Sequence, residues 1–247
     1  MDESTVVLLC LPFAGSGASF YHPWRKLAPA GLEVRALQLP GRERLIDEEP
    51  YTDLHAAAEG LVPAALAAAD GRPVALFGHC LGAILAFELA ERLAGSGSAE
   101  VLHLFVSASR APWDQPAFVR SDLSDDDLLC SVNDLTGFRH QALDVPEMRE
   151  LLMPALRADV RMLEDYRPRG AQRLDVPVTA YYGDADDLVP GSDCAGWARA
   201  TSREFEQVEM VGGHMYVADS AGLLLPQIAR SVAREQVSAE VAPAKRE

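Results

Sequence analysis

Short, almost unbroken apolar runs alternate along this chain with stretches whose apolar residues recur every three or four positions. The runs predict strands at Val6–Leu11, Val34–Leu39, Val74–Phe77, Val101–Val106, Val178–Tyr182 and Phe205–Met210. The first and third lack polar alternation, which suits parallel strands covered on both faces. Helical spacing falls at Trp24–Ala28, Leu54–Ala69, Leu81–Leu93, Asp193–Ala200 and Ala221–Arg234. Strand–helix alternation predicts an α/β fold, with a mostly parallel central sheet, right-handed crossovers and helices on both faces.

The alternation breaks between Ala111 and Gly170. Ser124 with Asp127 predicts a capped helix start ahead of Leu128, Leu129, Val132 and Leu135. Asp144 with Glu147 predicts a second start, ahead of Met148, Leu152, Leu156 and Leu163, with Pro154 as a kink point. Two helices inserted before the sheet resumes occupy the place of a lid, although ordinary packing helices would read the same. The expectation is one domain over 1–247, a lid insertion at about 111–170, and a tail fraying after about Val237.

Composition narrows the function. With 49% hydrophobic and 24% charged residues, the 247-residue chain can bury a substantial core. A net charge of −15 argues against general nucleic-acid or anionic-membrane binding. Cys10, Cys80, Cys130 and Cys194 are scattered, so neither a disulfide framework nor a metal site is expected. The Asp125-Asp126-Asp127 run reads as a helix-start feature. Met1-Asp2-Glu3-Ser4 lacks the positive flank of a signal peptide, and a reducing cytoplasm is the expected compartment.

The chemistry centres on Gly78-His79-Cys80-Leu81-Gly82, between a predicted strand and a predicted helix. This has the form of a nucleophile elbow, G-x-S-x-G, with cysteine replacing serine. The glycines permit a tight turn that holds the side chain above the sheet. The helix N-terminus favours a thiolate, and the Leu81 N–H can donate to an oxyanion. A second donor belongs on the loop after an early strand, where Leu11-Pro12-Phe13-Ala14-Gly15 offers the Ala14 N–H. The following Gly15-Ser16-Gly17 lacks the lysine and spacing of a phosphate loop.

A nucleophile needs a base and the base an orienting acid. His214, in Val211-Gly212-Gly213-His214-Met215-Tyr216 after the last strand, is the candidate base. His22, His55, His79, His103 and His140 read as packing or surface residues. Asp184, Asp186 and Asp187 all follow the preceding strand and compete as the acid.

These segments together resemble the type II thioesterases of polyketide and nonribosomal peptide synthesis, a branch of the α/β-hydrolases. The likeness runs from about Val6 to Ala233. It includes Leu39-Pro40-Gly41-Arg42-Glu43-Arg44, Ser107-Ala108-Ser109-Arg110-Ala111-Pro112, and Leu156-Arg157-Ala158-Asp159 with Tyr166 downstream. It implies an α/β-hydrolase fold with a helical lid over an acyl chamber. It also implies hydrolysis of acyl groups from the phosphopantetheine arm of acyl or peptidyl carrier proteins, with no cofactor of the enzyme's own and no metal. Carried over, Cys80 is the nucleophile, His214 the base and Asp186, in a G-x-x-D turn, the acid, with Ala14 and Leu81 as oxyanion donors. Phe13, Arg42, Arg44 and Arg110 become candidates for substrate or carrier docking, joined by Arg157, Arg161, Arg167, Arg169 and Arg173 near the lid's end. Two residues depart from the pattern: Cys80 stands where serine is usual, and Phe13 where a polar aromatic or histidine is more common. The cysteine keeps open acyl transfer or cyclisation onto an amine or hydroxyl. A non-catalytic acyl- or carrier-binding module and a cysteine-type lactone hydrolase are the remaining alternatives.

Overall fold

A computed structural model describes residues 5–116, 120–137, 141–170 and 173–241. Six strands form one parallel sheet: β1 (Val6–Leu11), β2 (Leu32–Ala36), β3 (Val74–His79), β4 (Val101–Ser107), β5 (Val178–Gly183) and β6 (Phe205–Met210). Their spatial order is β2-β1-β3-β4-β5-β6. Among the described residues seven α-helices surround them: α1 (His22–Leu27), α2 (Leu54–Ala69), α3 (Leu81–Gly95), α4 (Asp125–Thr136), α5 (Pro146–Asp165), α6 (Gly191–Cys194) and α7 (Ala221–Val241). Among the described residues every pairing is parallel, as the strand–helix alternation implied.

β1 shows why the apolar runs carried no alternation. It pairs with β2 on one side, Leu8 opposite Val34, and with β3 on the other, Leu8 opposite Ala75. Val7, Leu9 and Leu11 enter one core with α2 and α3, while Val6, Leu8 and Cys10 enter a second with α1 and α7. Period two is present, but both phases are apolar because both faces are buried.

Local chemistry sets the helix limits. Asp53 accepts from the Ala56 N–H at 2.7 Å to cap α2, and Asp70 closes it in a left-handed conformation. Ser124 caps α4 through the Asp127 N–H at 3.2 Å, as expected. α5 departs from expectation. It starts at Pro146 with Val145 as an uncapped N-terminus, and Asp144 ends the preceding helical turn. Proline's fixed φ suits the first helical position, so it sets this boundary in place of a side-chain cap.

Other boundaries also move. β2 ends at Ala36 because its ladder with β1 ends at the Cys10–Ala36 pair, although Leu37 and Leu39 stay buried. The helix expected at Asp193–Ala200 divides into α6 and a tighter helical run at Ala195–Ala200. α7 runs from Ala221 to Val241. Gln236 to Val241 contains neither glycine nor proline to stop it. His140, expected in helical or loop surroundings, lies outside the described residues.

α4 and α5 hold a small core of their own, Leu128, Leu129, Met153, Leu156 and Val160. The chain after them is tied back to the body through buried Glu88 on α3. Glu88 accepts from the Tyr166 hydroxyl at 2.8 Å and from Arg92 at 2.8 Å, and pairs with His55 at 2.9 Å.

Candidate active site

The order of strands reverses at β1 and β3, and ligand sites in open parallel sheets lie beyond the strand C-termini at such a point. Phe13 and Ala14 follow β1, Cys80 follows β3, Asp186 follows β5 and His214 follows β6.

Cys80 sits between β3 and α3 at φ 53° and ψ −119°, a conformation that costs a non-glycine residue free energy. Its N–H donates to the Ser107 carbonyl at 2.8 Å, anchoring the turn to β4. Packing holds it there. A Cβ on Gly78 would lie 1.9 Å from the Gly82 carbonyl oxygen, and one on Gly82 would lie 2.6 Å from the Leu11 carbonyl oxygen. The elbow therefore requires strand, helix and the loop after β1 to meet backbone to backbone. The Cys80 side chain makes no capping bond to α3. Neither the Leu81 nor the Ala14 N–H donates a hydrogen bond among the described residues. The Leu81 N–H opens α3 directly after Cys80, and the chain leading to Ala14 packs against Gly82 at Leu11 and Pro12.

The three acidic candidates separate by environment. Asp187 is exposed, and Asp184 accepts from the Gly212 N–H at 2.8 Å, fastening its own loop to the histidine loop. Asp186 is buried. Its Oδ1 accepts from the N–H groups of Leu188 and Val189, each at 2.9 Å, and its Oδ2 lies 2.9 Å from His214 Nδ1. Gly183 lets the two loops close, since a Cβ there would lie 2.3 Å from the Gly212 carbonyl oxygen.

Burial opposes a charge on His214, but its hydrogen bond to Asp186, followed by its interaction with Cys80, raises it to about 10. The Cys80 sulfur influences the imidazole, and Nε2 has no hydrogen-bond partner among the described residues. Catalytic contacts often tighten only once substrate is bound. The imidazole, carboxylate and thiol expected from sequence are in one place.

Other expected residues fall differently. Phe13 is buried, edge-to-face with Phe20 at 4.8 Å and with His79 at 5.8 Å, and it lines a cavity beside the loop after β1. Arg42, expected at the docking surface, is 4% exposed and pairs with Asp159 at 2.7 Å. A buried carboxylate on α5 draws it inward. Arg110 is half-buried and pairs with Asp193 at 2.7 Å. Arg44, Arg161, Arg167, Arg169 and Arg173 are exposed, and Arg157 is half-buried.

Sequence reading also undervalued His79. Its ring lies 5.2 Å from that of His214, and its Nδ1 is 2.8 Å from the Ser107 hydroxyl, which contacts the Tyr216 hydroxyl. Burial, with the neighbouring His214, holds His79 well below the usual imidazole range. Its place beside the nucleophile was the available signal. A cavity of about 310 Å³ opens between the loop after β1 and the helical insertion, lined by Phe13, Ala14, Phe20, Leu129, Leu152 and Leu156 among others.

This fold and site define an α/β-hydrolase. A family model described as a thioesterase domain matches residues 7–235, and the chain belongs to the thioesterase family, hydrolases that act on thioester bonds. It is 38% identical over 215 residues to the AMB antimetabolite synthetase AmbE of Pseudomonas aeruginosa, covering 87% of this chain. It spans only 10% of AmbE, a far longer protein. It is 33% identical over 216 residues to the gramicidin S biosynthesis protein GrsT of Aneurinibacillus migulanus, covering 86% of this chain and 83% of GrsT. Among solved structures it is similar to the type II thioesterase BorB from the borrelidin biosynthetic cluster. That likeness has a TM-score of 0.83 at 37% identity, over 93% of both chains. Among the described residues, no helix is long and apolar enough to cross a membrane.

Proposed function

We propose that this protein releases acyl groups from the phosphopantetheine arm of carrier proteins in polyketide or nonribosomal peptide synthesis, using Cys80, His214 and Asp186. The observation that carries this reading is a cysteine on a strained elbow, facing an imidazole whose other nitrogen is held by a buried carboxylate.

His214 rests as an imidazolium, with the proton of the Cys80 thiol held on the ring side facing the sulfur, so Cys80 stands as a thiolate that attacks the thioester carbonyl carbon. Charge developing on the oxygen is met by the N–H groups of Ala14 and Leu81. The bond to the pantetheine sulfur breaks, and His214 returns its proton to that leaving thiol. The acyl group is then a thioester on Cys80. Water attacks it with His214 as base, giving the free acid and restoring the Cys80 thiolate. The cavity beside Ala14 suits the acyl chain, and exposed Arg44, Arg161, Arg167, Arg169 and Arg173 suit an acidic carrier protein.

Cysteine supports a second reading. Exchanging one thioester for another is nearly balanced in energy, so the acyl-enzyme stays open to amines or hydroxyls as well as water. Intact-mass spectrometry after mixing with an acyl-pantetheine thioester separates the two. Acyl mass on wild type, absent in Cys80→Ala, followed by free acid, supports hydrolysis. Release only with an added acceptor supports transfer, and binding with neither adduct nor turnover sinks both.

A further inference from the structure

Ala14 can stabilise an oxyanion only if its peptide is held at one angle, and the structure shows what holds it. A trans peptide is planar, so its C=O and N–H point in opposite directions. The carbonyl opposite the Ala14 N–H belongs to Phe13. It accepts from the Ser16 N–H at 2.9 Å and the Ser16 hydroxyl at 2.8 Å. The next peptide is fixed too, because the Gly15 N–H donates to Asp159 Oδ2 at 2.8 Å. Asp159 is fully buried on α5, 144 residues away in the chain.

Arg42 completes the arrangement. Its two terminal nitrogens grip the two Asp159 oxygens, each at 2.7 Å, and one of them also donates to the Ser16 carbonyl at 2.9 Å. The guanidinium therefore clamps carboxylate and loop together in a planar, bidentate geometry that lysine cannot reproduce. Both peptides flanking Ala14 are pinned, one through Ser16 and one through Asp159. The α5 carboxylate reaches the reaction centre through backbone and never touches substrate.

We propose that Asp159, gripped by Arg42, is a positioning residue for the oxyanion hole, so that the helical insertion sets the rate of the chemical step as well as covering the site. The inference rests on the reading of Cys80 as nucleophile and Ala14 as donor. A contact that matters only when the oxyanion forms affects the transition state and leaves substrate binding largely alone.

The test uses the full chain with Asp159→Asn and the double variant Arg42→Met/Asp159→Leu, which strands no buried charge if the single variant fails to fold. Three quantities are measured on variants that melt cooperatively. These are kcat and KM with an acyl-pantetheine thioester, affinity for an acyl trifluoromethyl ketone whose adduct carries an oxyanion, and site-resolved iodoacetamide alkylation of Cys80. We expect kcat to fall about 10- to 100-fold, ketone affinity to fall in step, and KM to stay within about threefold. Alkylation, which forms no oxyanion, stays within about twofold of wild type. Wild-type kcat in a folded variant, loss confined to KM, or alkylation falling as far as kcat would overturn the proposal. Turnover persisting in Cys80→Ala would instead remove the nucleophile reading, and this inference with it.

Discussion

Gly78→Ala probes the elbow without touching a reactive group. The added methyl would sit 1.9 Å from the Gly82 carbonyl oxygen, 2.2 Å from its carbon and 2.6 Å from the Ala83 nitrogen. The nearest approach falls about 1.5 Å short of the 3.4 Å at which ordinary contact begins. All three obstacles are backbone, so no side chain can rotate away, and β3 and α3 must separate. Overpacking a core costs about 1–3 kcal/mol, and an immovable obstacle places this site near the upper figure. The separation carries the Leu81 N–H and Cys80 with it. A displacement of about 1 Å in a catalytic group can cost about a hundredfold in rate. Gly95→Ala is the matched control at the far end of α3, where a Cβ meets nothing within 4 Å. It should be neutral or stabilise by up to about 1 kcal/mol through helix propensity. Urea unfolding and thioester turnover, measured on both variants, supply the comparison. A Gly78→Ala protein with the wild-type urea midpoint and kcat within about twofold would refute the packing argument.

Two further outcomes follow from the triad. In Asp186→Asn the amide oxygen must stay on the Leu188 and Val189 N–H groups, so the NH2 faces His214 Nδ1. That forces the proton onto Nε2, where it blocks the base, and kcat should drop on the order of 10⁴-fold; a drop under about tenfold would contradict the tautomer argument. The second concerns pH. His214 is raised from 6.5 to about 10, so the stability it adds is complete below about pH 6.5 and fades as pH climbs through 10. Chemical denaturation across that range should show wild type losing stability relative to His214→Gln as pH rises, whereas a constant difference would mean the imidazole carries no stabilised charge.

Legibility in the sequence followed locality. β1, α2 and β6 match their expected limits, because each is bounded by turn or capping residues within a few positions. The elbow was equally readable, since glycine, cysteine and glycine at fixed spacing describe one turn. β2 was not, because its end depends on how much of β1 it can pair with, and α5 began at a proline where a side-chain cap was expected. The His79 side chain, joined through Ser107 to Tyr216, connects three separate segments that no spacing rule links.

Taken alone, the amino-acid order determined the strand–helix alternation, the bend carrying Cys80 and the presence of a histidine and acids after the final strands. Folding decided the rest. Among Asp184, Asp186 and Asp187, the G-x-x-D turn of the resembled family pointed to Asp186, and burial with the histidine loop supplies the physical reason that the letters themselves do not carry. Arg42 reads as a surface cation until Asp159, 117 residues further on, is packed against it. Charge and hydrogen-bond partners depend on through-space distance, and only the closed sheet with its helices brings such remote positions within reach of one another.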